Sequence, residues 1–299
     1  MRAEAIATAL GGRKVGGGWI ARCPAHRDRD PSLSIHYGAA NKLLVHCHAG
    51  CDQVQVIEAL RTRGLWSDRQ APPGQVITLP QPVGAASATR HDDAKRREAA
   101  IHIWHEAGPA DNTLVEIYLR TRGVALPIPP ELRFHAALRH PSGGVWPAMV
   151  ALVTRAPEGE SVAIHRTFLS RDGMGKAPIE PQKMMLGPCR GGAVRLAPAT
   201  GRLMVGEGIE TCLAAMQAAG QPTWAALSTS GLRSLGLPPE VREVVVLADG
   251  DAPGEAAARE AALRWKRQER RVRIARPPHG FDFNDLLLGR APGHEEGAA

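Results

Sequence analysis

No run of about 18 apolar residues occurs in the 299-residue sequence, so no segment is long and apolar enough to cross a bilayer as a helix. The start, Met1-Arg2-Ala3-Glu4, lacks an apolar core followed by a cleavage site, and a cytoplasmic location is expected. No Gly-x4-Gly-Lys-Ser/Thr loop is present, which excludes a P-loop ATPase within this sequence. Aromatic residues are scarce, at 4 %. The heavy use of Ala, Gly and Arg fits a GC-rich genome and carries no functional reading. A disulfide framework is not expected either. The five cysteines are odd in number, and three of them lie between positions 23 and 51 beside histidines, a pattern of metal binding in a reducing compartment.

What the sequence does have is positive charge and an ordinary apolar content. The formal net charge is +7 and hydrophobic residues make up 43 %, enough for two or three small domains. A basic balance favours a polyanionic partner, because Lys and Arg that neutralise phosphates release counterions.

The chain divides by pattern. Residues 1–66 read as a compact unit with helices over Ala3–Leu10 and Asp52–Arg63 and β segments at Leu33–Tyr37 and Leu43–His46. Residues 67–91, rich in proline and small residues, read as a linker. Residues 92–200 begin helical to about 122 and turn β-rich, with strands near Ala148–Thr154, Val162–Leu169, Met184–Leu186 and Ala193–Leu196. Trp104, Trp146 and Phe168 read as core. Residues 201–289 alternate strand and helix, which implies a parallel sheet covered by helices. Residues 290–299 read as a disordered tail. The expected class is α/β: a small metal-binding unit, an α+β middle and a parallel α/β domain.

Cys23-Pro24-Ala25-His26 and Cys47-His48-Ala49-Gly50-Cys51 form a Cys-x2-His, x20, Cys-x3-Cys pattern. Two closely spaced pairs, each on a turn, can supply the four tetrahedral ligands of a structural zinc. Cys23, His26, Cys47 and Cys51 are the expected set, with His46 and His48 as rivals because the second pair is spaced by three residues. The segment, with Asp30-Pro31-Ser32-Leu33-Ser34-Ile35 between the pairs, resembles the zinc-binding domain of bacterial-type replicative primases and their phage and plasmid relatives. The resemblance implies a zinc ribbon that contacts template DNA. Replicative primases have a two-residue gap in the second pair, so the x3 spacing looks more like the mobile-element branch.

Gly206-Glu207-Gly208-Ile209-Glu210 follows one predicted strand, and Asp249-Gly250-Asp251 follows the next. Both groups therefore lie at the carboxyl ends of parallel strands, where open α/β sheets bind ligands. Clustered carboxylates repel one another without a cation, and magnesium prefers such oxygen ligands together with phosphate and water. Val205-Gly206-Glu207-Gly208 and Leu247-Ala248-Asp249-Gly250-Asp251 resemble the two motifs of the Toprim domain, shared by bacterial-type primases, type IA and II topoisomerases and some nucleases. The resemblance implies that Glu207 is an acid/base or metal-linked glutamate and that Asp249 and Asp251 hold Mg2+ or Mn2+. Asp282-Phe283-Asn284-Asp285 resembles a late stretch of mobile-element primases, which adds Asp282 and Asp285 as outer ligands. Glu210, one turn past Glu207, is open between the metal site, a helix cap and solvent.

In the middle segment, Arg166, Lys176 and Lys183 are the expected phosphate contacts, since Arg and Lys suit phosphate and few acids lie near them in sequence. The stretch Arg264–Arg276, with seven Lys or Arg and one acid, reads either as a nucleic-acid groove or as a solvated helix end.

Taken together, the zinc segment, basic middle and Toprim motifs predict a primase. It would make short RNA primers on single-stranded DNA from ribonucleoside triphosphates, with structural Zn2+, catalytic Mg2+ or Mn2+, and a replicative helicase as a further partner. The alternatives are a Toprim-type nuclease and a non-catalytic single-stranded DNA binding protein. A topoisomerase needs a tyrosine nucleophile, and neither Tyr37 nor Tyr118 sits in a credible motif.

Overall fold

The computed structural model describes residues 3–15, 17–26, 28, 31–37, 43–47, 51, 53–66, 85–278 and 281–289. Most of the expected linker and the expected tail fall outside these residues. The chain forms two compact units, Met1–Gln81 and Pro82–Ala299.

In the first unit, α1 (Ala3–Ala9) leads into an antiparallel meander of β1 (Arg13–Val15), β2 (Gly18–Ala21), β3 (Leu33–Tyr37) and β4 (Leu43–Cys47), and α2 (Gln53–Thr62) follows. Strand alternation sets the core. Leu33 and Ile35 of β3 and Val45 and Cys47 of β4 point inward onto Ile6 of α1 and Val56 and Leu60 of α2. His46, one position out of phase, is exposed on the other side of the sheet.

The second unit opens with α3 (Ala85–Glu106), the two-residue β5 (Gly108–Pro109) and α4 (Leu114–Thr121). Thr113 caps α4 by accepting the Val115 N–H at 3.2 Å. The antiparallel strands β6 (Leu132–Arg139), β7 (Val145–Arg155), β8 (Glu160–Phe168), β9 (Lys183–Leu186) and β10 (Gly192–Arg195) come next. Then strand and helix alternate: β11 (Arg202–Gly206), α5 (Ile209–Ala219), β12 (Thr223–Ala225), α6 (Thr229–Ser234), β13 (Glu243–Leu247), α7 (Ala252–Lys266), β14 (Arg271–Ala275) and α8 (Phe283–Leu288).

One ten-stranded sheet holds all of β5 to β14. Its parallel part runs β14-β13-β11-β12, and β10 joins it to the antiparallel part by pairing with β12 on one side and with the end of β7 on the other. The sheet therefore crosses the boundary expected near residue 200 without a break. Alternation again assigns the faces. Leu203, Val205, Val244 and Val246 pack on one face against Ala257, Ala258, Ala261 and Trp265 of α7. Met204 and Leu247 pack on the other against Ile209, Cys212 and Leu213 of α5. The alanines of α7 let helix and sheet approach closely, and the fully buried Trp265 fills the end of the interface. Truncating a buried Trp of this kind costs about 3–5 kcal/mol. Trp104, on α3, and Phe168, on β8, are buried between helix and sheet, and Trp146 packs beside them, as expected of core residues. No helix among the described residues is long and apolar enough to cross a membrane.

Candidate metal centres

In the first unit, the turn after β2, the end of β4 and Cys51 beyond it bring one ligand atom each from Cys23, His26, Cys47 and Cys51 within 4.8 Å of one another. His26 Nδ1 lies 3.2 Å from Cys51 Sγ and 3.9 Å from Cys47 Sγ. Tetrahedral zinc, with Zn–S near 2.3 Å and Zn–N near 2.0 Å, separates its ligand atoms by roughly 3.5–3.8 Å. The four side chains therefore need to close by only about 1 Å at their widest spacing. His46 turns away on the opposite sheet face, and His48 lies outside the described residues.

The electrostatics fit a cation. Burial pushes the Cys23 thiol up to about 12, with further contributions from Cys47 and Cys51, and burial raises Cys51 as well. A bound metal reverses this by stabilising thiolates. Asp28, which the motif search missed, organises the cluster from behind. Its Oδ2 accepts from the Cys23 N–H at 2.6 Å and from the Ser32 hydroxyl at 2.6 Å. Its Oδ1 lies 3.5 Å from His26 Nε2, which leaves Nδ1 facing the sulfurs. Burial alone would raise Asp28, but these donors and His26 hold it below its usual value.

In the second unit, Glu207 follows β11 directly, Asp249 lies two residues past β13, and Asp282 follows β14, so all three stand at the carboxyl edge of the parallel sheet. Burial pushes Glu207 up to about 7, helped by repulsion from Asp249 and Asp251 and opposed by Arg233. One of its oxygens, Oε1, is buried with no hydrogen-bond partner. Asp249 is raised by burial, then by Asp251 and Asp282, and is lowered by Lys183. The carboxylates repel one another and leave one oxygen unpartnered, and their donor set is the all-oxygen one that magnesium takes; among the described residues it is the Cys/His cluster whose ligand atoms are gathered within 4.8 Å of one another.

Asp251 also has a structural role. Its Oδ1 accepts the Gly254 N–H at 2.7 Å and caps α7. A Cβ at residue 254 would stand 2.8 Å from that oxygen and 3.1 Å from Asp249 Cβ, so glycine is what permits both aspartates to approach the helix start. Asp282 and Asp285 form a capping box at α8: Asp282 Oδ1 accepts the Asp285 N–H at 2.6 Å, and Asp285 Oδ2 accepts the Asp282 N–H at 3.0 Å. Asp282 nonetheless faces Asp249 closely enough to raise its pKa.

The expected phosphate contacts separate. Lys183 opens β9 opposite Thr167 and faces the carboxylates. Arg166 is one residue out of phase and lies on the α3 face, 8 % exposed, donating to the Met185 carbonyl at 3.3 Å. The structure does not bring it to Lys183, because strand alternation sends successive side chains to opposite faces. Lys176 is half-buried where it bridges Leu169. Arg264, Arg270 and Arg276, three of the seven basic residues of Arg264–Arg276, are engaged with the rest of the fold. Arg264 donates to the Leu235 carbonyl at 2.6 Å, Arg270 to those of Pro238 and Leu237 at 3.0 and 3.2 Å, and Arg276 clasps Glu255 at 2.6 and 3.1 Å.

Residues 202–293 match the family model of the Toprim domain, and residues 94–196 match a domain of unknown function (DUF7146). The Toprim resemblance read from the two acidic motifs is thus borne out. No curated protein matches. Among solved structures, the zinc-binding and RNA polymerase domains of the Aquifex aeolicus primase are 15 % identical, with 96 % of this chain and 79 % of that chain covered and a TM-score of 0.43. The primase fragment of the bacteriophage T7 primase-helicase protein is 16 % identical over 62 % of this chain and 70 % of that chain, with a TM-score of 0.39. The RNA polymerase domain of Mycobacterium tuberculosis primase DnaG is 17 % identical over 69 % and 72 %, with a TM-score of 0.34.

Proposed function

We propose that this chain is a cytoplasmic DNA primase, a nucleotidyltransferase that joins ribonucleotides into short primers on single-stranded DNA. The observation that carries the reading is the electrostatic coupling of Asp249 to Glu207, Asp251 and Lys183 inside a Toprim domain. The separate Cys/His cluster supports it by supplying a zinc unit of the kind that holds template DNA.

Glu207, Asp249 and Asp251, with Asp282 at the margin, would hold Mg2+ or Mn2+, which when bound supplies charge neutralisation at the triphosphate and at the attacking and leaving oxygens. The side chains themselves do the rest. Lys183 offers a fixed positive charge to the triphosphate, and Lys176 is a second candidate contact. Without metal, burial and its acidic neighbours push Glu207 up to about 7, and a bound cation would lower it again. In this reading Glu207 would take the proton of the primer 3′-hydroxyl as that oxygen bonds the α-phosphorus and pyrophosphate departs. Arg166, on the far face, takes no part. A replicative helicase would present the single strand.

The test is incubation of the purified chain with single-stranded DNA of mixed sequence, labelled ribonucleotides and magnesium or manganese, beside Asp249→Ala. Short labelled products that vanish in the variant support the primase. Shortened template that also depends on Asp249 turns the reading to a nuclease. No reaction of either kind, with zinc and DNA still bound, turns it to a binding module.

A further inference from the structure

Glu210 was open in the sequence between metal ligand, cap and solvent, and its surroundings answer the question. Three elements distant in sequence converge on it: α4 brings Tyr118, β9 brings Lys183, and Glu210 itself lies in the first turn of α5. The Tyr118 hydroxyl donates to Glu210 Oε1 at 2.7 Å, and Lys183 Nζ donates to Oε2 at 3.0 Å. Each carboxylate oxygen therefore already has a strong donor. Tyr118 is fully buried and the Glu210 side chain is 11 % exposed, while the Lys183 side chain is 36 % exposed. The pair is thus anchored on the protein side and open on the other. His165, on the same sheet face two residues from the partner of Lys183, is buried and held neutral, so it does not compete for the carboxylate.

The arrangement has a physical purpose. A lysine is a point charge on a flexible four-carbon stem. Left free near Asp249, its ammonium would fold onto that carboxylate, where a cation is to bind. A buried carboxylate, itself fixed by a tyrosine hydroxyl, gives the ammonium a stronger and better-defined partner on the other side.

We propose that Tyr118 and Glu210 are positioning residues, which hold the Lys183 ammonium at the margin of the carboxylate cluster so that it meets the triphosphate of the incoming nucleotide. The proposal deepens the nucleotidyltransferase reading and rests on it. It also makes a tie between the two matched segments, since Tyr118 and Lys183 lie in 94–196 and Glu210 in 202–293.

Two measurements on the full chain test it. The first needs no activity: brief reductive methylation followed by peptide mass spectrometry reads how freely Lys183 reacts. Tyr118→Phe keeps the ring and removes the donor, and Glu210→Gln keeps the shape and removes the charge. Each is expected to raise Lys183 labelling by about 3–10-fold, with Glu210→Asp intermediate. The second is a double-mutant cycle on primer synthesis. Tyr118→Phe should raise the KM for nucleoside triphosphate by about 5–10-fold in the parent chain and by less than about 2-fold in a Lys183→Met background. Unchanged labelling in a folded Tyr118→Phe chain overturns the proposal, as does an equal KM effect in both backgrounds, which is the mark of a merely structural tyrosine. If the parent chain makes no primers, the nucleotidyltransferase reading fails by itself. The cycle is then read on ATP affinity by calorimetry, where a Tyr118 effect that persists without Lys183, or no ATP binding, sinks the positioning role.

Discussion

The two candidate metal centres place the same kind of conflict, like groups crowded together, in opposite relation to their cores. In the first unit Cys23 and Cys47 are members of the hydrophobic core, each 3 % exposed, and the sheet around them is a small four-stranded meander. In the second, Glu207, Asp249 and Asp251 stand on the rim of a ten-stranded sheet whose two apolar faces are complete without them. A ligand set built into a small core stabilises the fold through the metal. A ligand set on the rim of a large core costs stability, and the fold tolerates it for chemistry. Removing a ligand should therefore unfold one unit and stiffen the other.

The sharpest test of that contrast is Cys47→Ser. Structural zinc contributes on the order of 10 kcal/mol to folding in small zinc units, so the variant should lose zinc and the folded first unit together. The Pro82–Ala299 transition should persist. Metal analysis and a calorimetric scan check both, and retained stoichiometric zinc would break the ligand assignment. Next in size, Asp249→Ala should lower primer synthesis by about 10³-fold or more while leaving the melting temperature of the metal-free protein equal or higher. A fall in that temperature would mean that the carboxylate holds the fold.

Asp28→Ala should leave the four ligands in place but weaken zinc by about 10–100-fold, read by competition with a chelator, because it frees Cys23, Ser32 and His26 from their common acceptor. The smallest effect concerns pH. Glu207 titrates at about 7 when folded against 4.5 unfolded. A carboxyl that binds its proton more tightly in the fold favours folding below 4.5 and loses that advantage as pH rises through 7. Glu207→Gln should therefore raise the melting temperature of the chelated protein by about 2–4 °C at pH 7.5, with the gain fading toward pH 4.5. A gain that does not vary with pH would assign the repulsion elsewhere.

Much of this organisation was legible along the chain. Runs such as Val244–Leu247, and the helix after Glu207, declare themselves because their burial and spacing are local. What escaped has identifiable causes. In β6 the bulge between His135 and Leu138 breaks the alternation by which a strand is read. β12 has only three residues, too few to show a period. Asp282 and Asp285 also carry the spacing of a capping box, which the acidic-ligand reading passed over. The linker helix α3 begins at Ala85, where small residues gave no apolar stripe to follow.

The sequence by itself determined which chemical groups exist and where each motif falls on its own strand or turn: three thiols and an imidazole at close spacing, and carboxylates just past two apolar strands. Only the tertiary structure decided their partners. It sent Arg166 to one face of β8 and, on the other, gave Glu210 both Lys183 and Tyr118 as donors. It also put Asp28 behind His26. Backbone preference and apolar period act over a few residues and can be read in order, whereas an ion pair between residues 183 and 210, or a hydroxyl of 118 on the carboxylate of 210, exists only once the sheet has closed.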